Sequence, residues 1–205
     1  LYYSTLRFQK AVDVYTPLVG PGRANPERWY RHSELLRADG RYADALQAID
    51  QALRLDQKNG LYHRQRAHNL ATQEKGADYA AAEAAARRAL EMGDDSVDNR
   101  YWLAAAIEGQ GKIPEAIAAY ESVAKDDLAY ERTAFRLGQL YLKSGKIEKG
   151  RELLKLYDTM NKNEREVSFA RKTLERKPDL LAHHYKLALY CYRLEDYPTA
   201  IALLR

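Results

Sequence analysis

Pro26-Glu-Arg-Trp-Tyr-Arg-His-Ser-Glu-Leu-Leu-Arg-Ala-Asp-Gly40, followed by Arg41-Tyr-Ala-Asp-Ala-Leu-Gln-Ala-Ile-Asp-Gln-Ala-Leu-Arg-Leu-Asp-Gln-Lys-Asn59, reads as two helices and the turn between them. The first helix is predicted over roughly 27–38 and stops at Asp39-Gly40, where glycine accepts the left-handed conformation that ends a helix. The second is predicted over 42–55. Its apolar residues Ala45, Leu46, Ile49, Ala52 and Leu53 recur every three or four positions and form one buried stripe. Ser33, Ala45 and Ala52 are small, which lets the two helices approach closely.

The unit recurs. Phe8-Gln-Lys-Ala11, Tyr42-Ala-Asp-Ala45, Tyr79-Ala-Ala-Ala82, Ile113-Pro-Glu-Ala116, Ile147-Glu-Lys-Gly150 and Tyr197-Pro-Thr-Ala200 each set a bulky residue three before a small one. The bulky residues lie 34, 37, 34, 34 and 50 residues apart. A period of 34 is that of a stacked helix-turn-helix. The chain therefore resembles the tetratricopeptide repeat family. Trp29, Ser33, Gly40, Tyr42, Ala45 and Ala52 match its signature, as do Ala104, Gly111, Ala116 and Tyr120, then Gly138, Tyr141 and Gly145, then Ala188, Tyr197 and Ala200. The resemblance covers nearly the whole chain. It implies an all-α fold, a right-handed α-solenoid of antiparallel helix pairs with no β-sheet. One array is expected over 1–205: a partial repeat 1–25, repeats 26–59, 60–96, 97–130 and 131–164, and a partial repeat 178–205.

Several positions depart from the pattern. His32 and Arg66 stand where the family usually has Leu, and Gly150 stands for the usual Ala. Extra residues around Lys75-Gly76-Ala77 should lengthen one turn, and Pro17 should end or kink the first helix. The largest departure is the last interval. Its sixteen extra residues allow a separate helix over 164–176 after a break at Asn161-Lys162-Asn163. They also allow one helix running on to 176, and the array is expected to carry that extension to 177. The stripe Leu153, Tyr157, Met160, Glu164, Val167, Ala170, Leu174 crosses the proposed break at helical spacing and favours the long helix. It would project about 24 Å beyond a normal partner helix, and Lys177-Pro178 would end it.

Composition restricts the function classes. With 46% hydrophobic and 30% charged residues, the 205-residue chain can build a core and a solvated surface. It has no apolar run of about 18 residues, so no membrane-spanning segment is expected. A single Cys excludes an internal disulfide framework and leaves the compartment open. The net charge of +4 is interspersed, which argues against a nucleic-acid partner. Leu1-Tyr2-Tyr3 and Leu203-Leu204-Arg205 fall within the repeat pattern, so the sequence is expected to be a segment of a longer array.

No catalytic motif stands out. Gly109-Gln-Gly111-Lys112 is a helix-ending turn without phosphate-loop spacing. His32, His63, His68, His183 and His184 form no metal-ligand pattern, and Cys191 lies on an inward helix face. No cofactor, metal or enzymatic activity is expected. The resemblance instead implies a concave groove lined by the first helix of each pair. Carried over by position, the groove residues are Tyr30, Glu34 and Arg37; Arg64 and His68; Tyr101, Ala105 and Glu108; Phe135, Gln139 and Leu142; and Tyr185, Leu189 and Tyr192. Aromatic and Arg residues interleaved on a rigid surface suit a peptide or partner helix. The alternative for each aromatic is packing between repeats. Tyr30 and Glu34 replace the Lys and Asn of the family's carboxylate clamp. Arg31, Gln65, Trp102, Arg136 and Lys186 replace the Asn ladder of its glycosyltransferase members.

A protein-interaction scaffold is thus the first expectation. A structural subunit of a large or self-associating assembly is the second. A non-catalytic arm of an enzyme with its active domain outside this sequence is the third.

Overall fold

Helix ends in this chain are made in two ways, and the alternation builds the stack. Asn25, Asn59 and Ser96 each put a side-chain oxygen on a backbone N–H two or three residues ahead. These caps satisfy N–H groups that a helix start leaves unpaired. They open α2 (Pro26–Ala38), α4 (Gly60–Ala71) and α6 (Val97–Gly109). By contrast α3 (Tyr42–Leu55), α7 (Ile113–Asp126) and α9 (Ile147–Arg176) have no side-chain cap. They follow at once from Gly40, Gly111 and Gly145, all with φ near +80°. There the next residue's N–H reaches back to close the preceding helix, as Arg41 does to the Leu36 carbonyl at 2.8 Å. The helix after the longest of these turns, α5 (Tyr79–Glu91), carries its own cap, Asp78 on the Ala81 N–H.

The computed structural model describes residues 2–20, 25–73, 76–128, 130–177, 181–193 and 202–203. Within them lie ten α-helices, two 3-10 turns and no strand, an all-α solenoid of antiparallel pairs. The remaining helices are α1 (Tyr2–Tyr15), α8 (Thr133–Lys143) and α10 (Leu181–Arg193). Pro17 sits in the 3-10 turn Thr16–Leu18 directly after α1 stops. The Gly20-Pro21-Gly22 loop beyond Gly20, and Tyr197 and Ala200 of the expected last helix, lie outside the described residues; of that helix only 202–203 are described, and they are helical.

Helices pair as α2 with α3, α4 with α5, α6 with α7 and α8 with α9, and each pair packs on the next. The core is correspondingly serial. Val12, Leu36, Ala45 and Ala48 join α1 to α3; Tyr30, Ile49, Ala52 and Tyr62 join α2 to α4. Ala67, Leu70, Ala82, Ala86 and Ala106 join α4 to α6, and Tyr101, Ile107, Tyr120, Val123, Leu137 and Leu140 join α6 to α8. Alanine dominates where second helices meet their partners, because only a short side chain lets two backbones approach.

Buried polar groups register one repeat on the next. The Ser33 hydroxyl donates to the Ala45 carbonyl at 2.9 Å. Asn69, from the following repeat, donates to the Ser33 hydroxyl at 2.9 Å and to the same carbonyl at 3.2 Å. Asn69 is fully buried, and Gln65 donates to its side-chain oxygen, so its amide is satisfied at both ends.

The unusual positions have local explanations. A methyl group at Gly150 would come within 2.7 Å of Leu142 and 2.9 Å of the Gly138 carbonyl. Leu142 already fills the space that the usual Ala would take. His32 is buried, with Nε2 3.2 Å from the Thr16 hydroxyl and its ring stacked on Tyr15. Arg66 turns outward to Asp50 at 2.8 Å.

One uninterrupted helix of thirty residues, Ile147–Arg176, occupies the long interval, with no break at 161–163. Lys177 caps it with an N–H to the Thr173 carbonyl; Pro178 lies outside the described residues. The distal half of α9 buries Ala170 completely and carries α10.

Candidate functional site

The first helices α2, α4, α6, α8 and α10 carry the expected groove residues, and aromatic contacts join α2 to α4 and α4 to α6, while those of α6 and α8 turn to the elements that follow them. Tyr30 meets Tyr62 with ring centroids 5.5 Å apart. His68 stacks on Trp102 at 3.7 Å and 18°. Tyr101 meets Tyr120 and Tyr130 edge-on at 5.6 and 5.3 Å. Phe135 lies 5.0 Å from Tyr157 of α9.

These contacts divide the aromatic residues. Tyr30 and Tyr101 are buried, each only 6% exposed, and pack between neighbouring repeats. Phe135 is half-buried. Tyr185, at 59% exposure, and Leu189 stand open to solvent. The Tyr192 side chain lies outside the described residues. Ala105 and Gln139 are half-buried, and Leu142 leans on Gly150 of its paired helix.

Charges along the helices are largely neutralised within the array. Glu34 accepts from the Tyr30 hydroxyl at 2.9 Å and pairs with Arg31 at 3.1 Å. Glu108 accepts from the Tyr120 hydroxyl at 2.9 Å and pairs with Arg136 at 3.5 Å. Burial pushes both phenols up from their ordinary value, and the adjoining carboxylates push the same way. Arg64 reaches Asp98 of the next repeat at 2.9 Å, and Ser96 and Asp94 in the turn before it at 2.9 and 3.4 Å. Arg37 differs. It pairs with no carboxylate among the described residues, and its Nε is buried without a hydrogen-bond partner.

His68 lies beside this cation. Burial against Trp102, helped by the charges of Arg37 and Arg64, holds its imidazole down to about 3. It is therefore neutral across the physiological range.

A second feature could not be placed by position alone. The distal half of α9 and α10 enclose a cleft of about 450 Å³, walled by Val167 and Glu166 on one side and by Tyr185 and Leu189 on the other. Sequence reasoning singled out the α10 residues and expected the long helix, but did not set Glu166 and Val167 against α10. Trp102 was also outside the expected groove set. Its spacing from Tyr101 puts it on a neighbouring face, and only the stack on His68 draws it in.

The other histidines have structural partners. His63 bonds the Gln57 carbonyl at 2.9 Å, and His183 faces Phe169. Among the described residues no group of three His, Cys, Asp or Glu side chains could hold a metal ion. None of the described helices is long and apolar enough to cross a membrane.

Comparison with known proteins places this architecture. The tetratricopeptide repeat family model matches residues 1–70, 73–129 and 108–161. No curated protein matches the sequence significantly. Among solved structures, a crystal structure of MamA is similar at TM-score 0.63 and 18% identity, over 77% of this chain and 91% of that one. MamA 41-end from Desulfovibrio magneticus RS-1 gives 0.54 and 19%, over 87% and 90%. YrrB, described as a TPR protein with an unusual peptide-binding site, gives 0.53 and 16%, over 96% and 88%. At these identities the structures attest to the fold. The family model covers more than half the chain, helix pair by helix pair, and the chain belongs to the tetratricopeptide repeat family.

Proposed function

We propose that this array is a protein-interaction scaffold whose concave face takes an extended peptide of a partner protein. The observation that supports this most is the exposure of Tyr185 and Leu189 on α10, in line with half-buried side chains of the preceding first helices. His68 and Trp102 offer a flat stacked surface, Gln139 is half-buried, and Tyr185 and Leu189 stand exposed beside the cleft at α9. A rigid aromatic surface loses little entropy on binding, and clefts with a few polar groups at the rim are where ligands settle. The YrrB description adds that a peptide can lie on a similar fold.

Tyr30 and Tyr101 are core residues here, so truncating them would report on folding rather than on binding. The test is instead a surface variant, Gln139→Arg/Tyr185→Arg/Leu189→Arg, beside a control on the opposite face, Lys125→Glu/Leu156→Arg. Partners captured by the wild type should be lost with the first variant and kept with the second. Retention of every partner by the first would sink the groove reading.

The control face also supports a second reading, in which the array docks into an assembly through its second helices. A cleft of about 640 Å³ opens there between α7 and α9, floored by Leu128, Leu137 and Leu153. Loss of partners with the control variant alone would favour it.

A further inference from the structure

We propose that the outward face of the distal half of α9 is a docking surface for an acidic amphipathic helix of a partner protein. This face lies apart from the concave groove and does not depend on the peptide reading.

The distribution of charge singles out this half-helix. Residues 162–177 hold six basic residues against three acidic ones, a net +3 out of the chain's +4. The rest of the array is nearly balanced, and its exposed charges pair along a helix, as Arg87 does with Glu83 and Arg88 with Glu91. On distal α9 cation follows cation instead. Lys162, Arg165, Phe169, Lys172 and Arg176 recur at three and four residues, so they share one face. All five are exposed, Phe169 to 66%. Val167 and Ala170 point the other way, toward α10. The described elements therefore leave the stripe uncovered. A single exposed ring is ordinary on a protein surface. This one rests on His183 of α10, with ring centroids 5.9 Å apart, and stands as a fixed apolar point between two pairs of cations.

The pattern selects a helix as the occupant. Two helices side by side bury a central apolar seam and flank it with opposite charges. Cations stand seven and four residues before Phe169 and three and seven after it. A partner helix with a central Leu or Met, and with Glu or Asp at those spacings, meets every one of them. From Lys162 to Arg176 the stripe spans about 21 Å, or about four helical turns. A polyanion fits less well. Asp158 continues the stripe at its near end and Glu166 borders it, both exposed. A nucleic-acid strand or an anionic bilayer presents negative charge to these carboxylates as well, whereas a helix can set a Lys over Asp158.

An acetylated and amidated Ala-rich helical peptide tests this. It carries a central Leu, with Glu three or four and seven residues to either side; counterparts carry Gln or Lys at the same places. Fluorescence anisotropy with the full chain should show the Glu peptide binding about tenfold more tightly than the Gln peptide. Added salt should remove that advantage. Arg165→Glu/Lys172→Glu, both at exposed positions, should abolish it and bind the Lys peptide instead. Arg54→Glu/Lys58→Glu, an equal change of net charge elsewhere, should leave it intact. Phe169→Ala should weaken the Glu peptide further than salt alone. Equal binding of the Glu and Gln peptides, absence of binding, or a Glu preference that survives Arg165→Glu/Lys172→Glu overturns the inference. So does tighter binding of a uridylate oligomer or of phosphatidylserine vesicles that the same reversal abolishes, because the face would then be a polyanion site.

Discussion

His68 is a histidine kept neutral by where it lies, and that makes it a pH liability. In the unfolded chain it titrates near 6.5; in the folded array burial against Trp102 brings it down to about 3. Between those values the unfolded chain binds a proton that the folded chain does not. Stability is therefore complete above about pH 6.5 and falls as the pH drops toward 3, by at most ~1.4 kcal/mol per pH unit. Carboxylates remain ionised down to about pH 5, so the upper part of the window reports on histidines: His68, and His32, which burial also lowers. His68→Gln should reduce the slope of urea midpoints there and leave the His32 share, and equal slopes for variant and wild type would refute the assignment. Gly150 makes the complementary point about space. An added methyl would meet Leu142 and the Gly138 carbonyl below 3.0 Å. Gly150→Ala should destabilise the array by ~1–3 kcal/mol, despite alanine's better helix propensity. Adding Leu142→Ala should restore part of the loss, because it removes the side chain that occupies the site. Denaturant melts of the two variants decide this, and an unchanged midpoint for the single variant would dismiss the crowding argument.

At the scale of the elements, α9 sets this chain apart from an ordinary repeat. A helix of thirty residues cannot bury its whole length against one partner. Its first half packs on α8 around Gly138 and Leu154, and its second half carries α10. Ala170, fully buried, sits in that second half. Ala170→Glu should release α10 by burying an unpaired charge while leaving α2 to α7 intact. Hydrogen exchange would show faster exchange confined to α10 and the distal turns of α9; a uniform acceleration would contradict it. Much of this organisation was legible beforehand. Gly40, Gly111 and Gly145 mark helix ends because few other residues take a positive φ cheaply, and the apolar stripe of α9 crosses Asn161–Asn163 without losing phase. The groove was less legible. Tyr30 and Tyr185 occupy equivalent expected positions, yet one is buried by Tyr62 of the next repeat and the other is open. Whether a groove aromatic is core or surface depends on what the following repeat places against it. Pairings such as Arg64 with Asp98 cross thirty-four residues of sequence and depend on the rotation between repeats. For the same reason, the lack of a partner for Arg37 could not be read from spacing.

The whole molecule inherits its behaviour from serial packing. Each core cluster joins no more than three consecutive helices, and none reaches from α2 to α8. Neighbouring clusters are coupled through narrow links: a few shared side chains, Trp29, Leu46, Trp102 and Leu103, and the bonds of Asn69 to Ser33 and of Arg64 to Asp98. In such a stack, stability is a sum of unit terms and nearest-neighbour terms, and a lesion spreads only as far as its interfaces carry it. Leu140 is fully buried in the cluster of α6 to α8. Leu140→Ala should cost ~2–5 kcal/mol there. A compact two-state domain would distribute that loss over every slowly exchanging amide. Here the loss should fall on α6 to α9, while α2 to α4, with their own Tyr30–Ile49–Tyr62 core, keep their protection. Exchange measured peptide by peptide separates these outcomes, and an equal fall in protection from α2 to α9 would mean that the narrow links couple the array into one cooperative unit. If instead the far helices hold, the His68–Trp102 stack lies at the junction between the two regions, joining α4 to α6. A peptide bound there would bridge the junction and stabilise both sides. Protection in the Leu140→Ala variant should then recover on adding a partner captured by the wild type, and recovery confined to α8 and α9 would place the bound segment elsewhere.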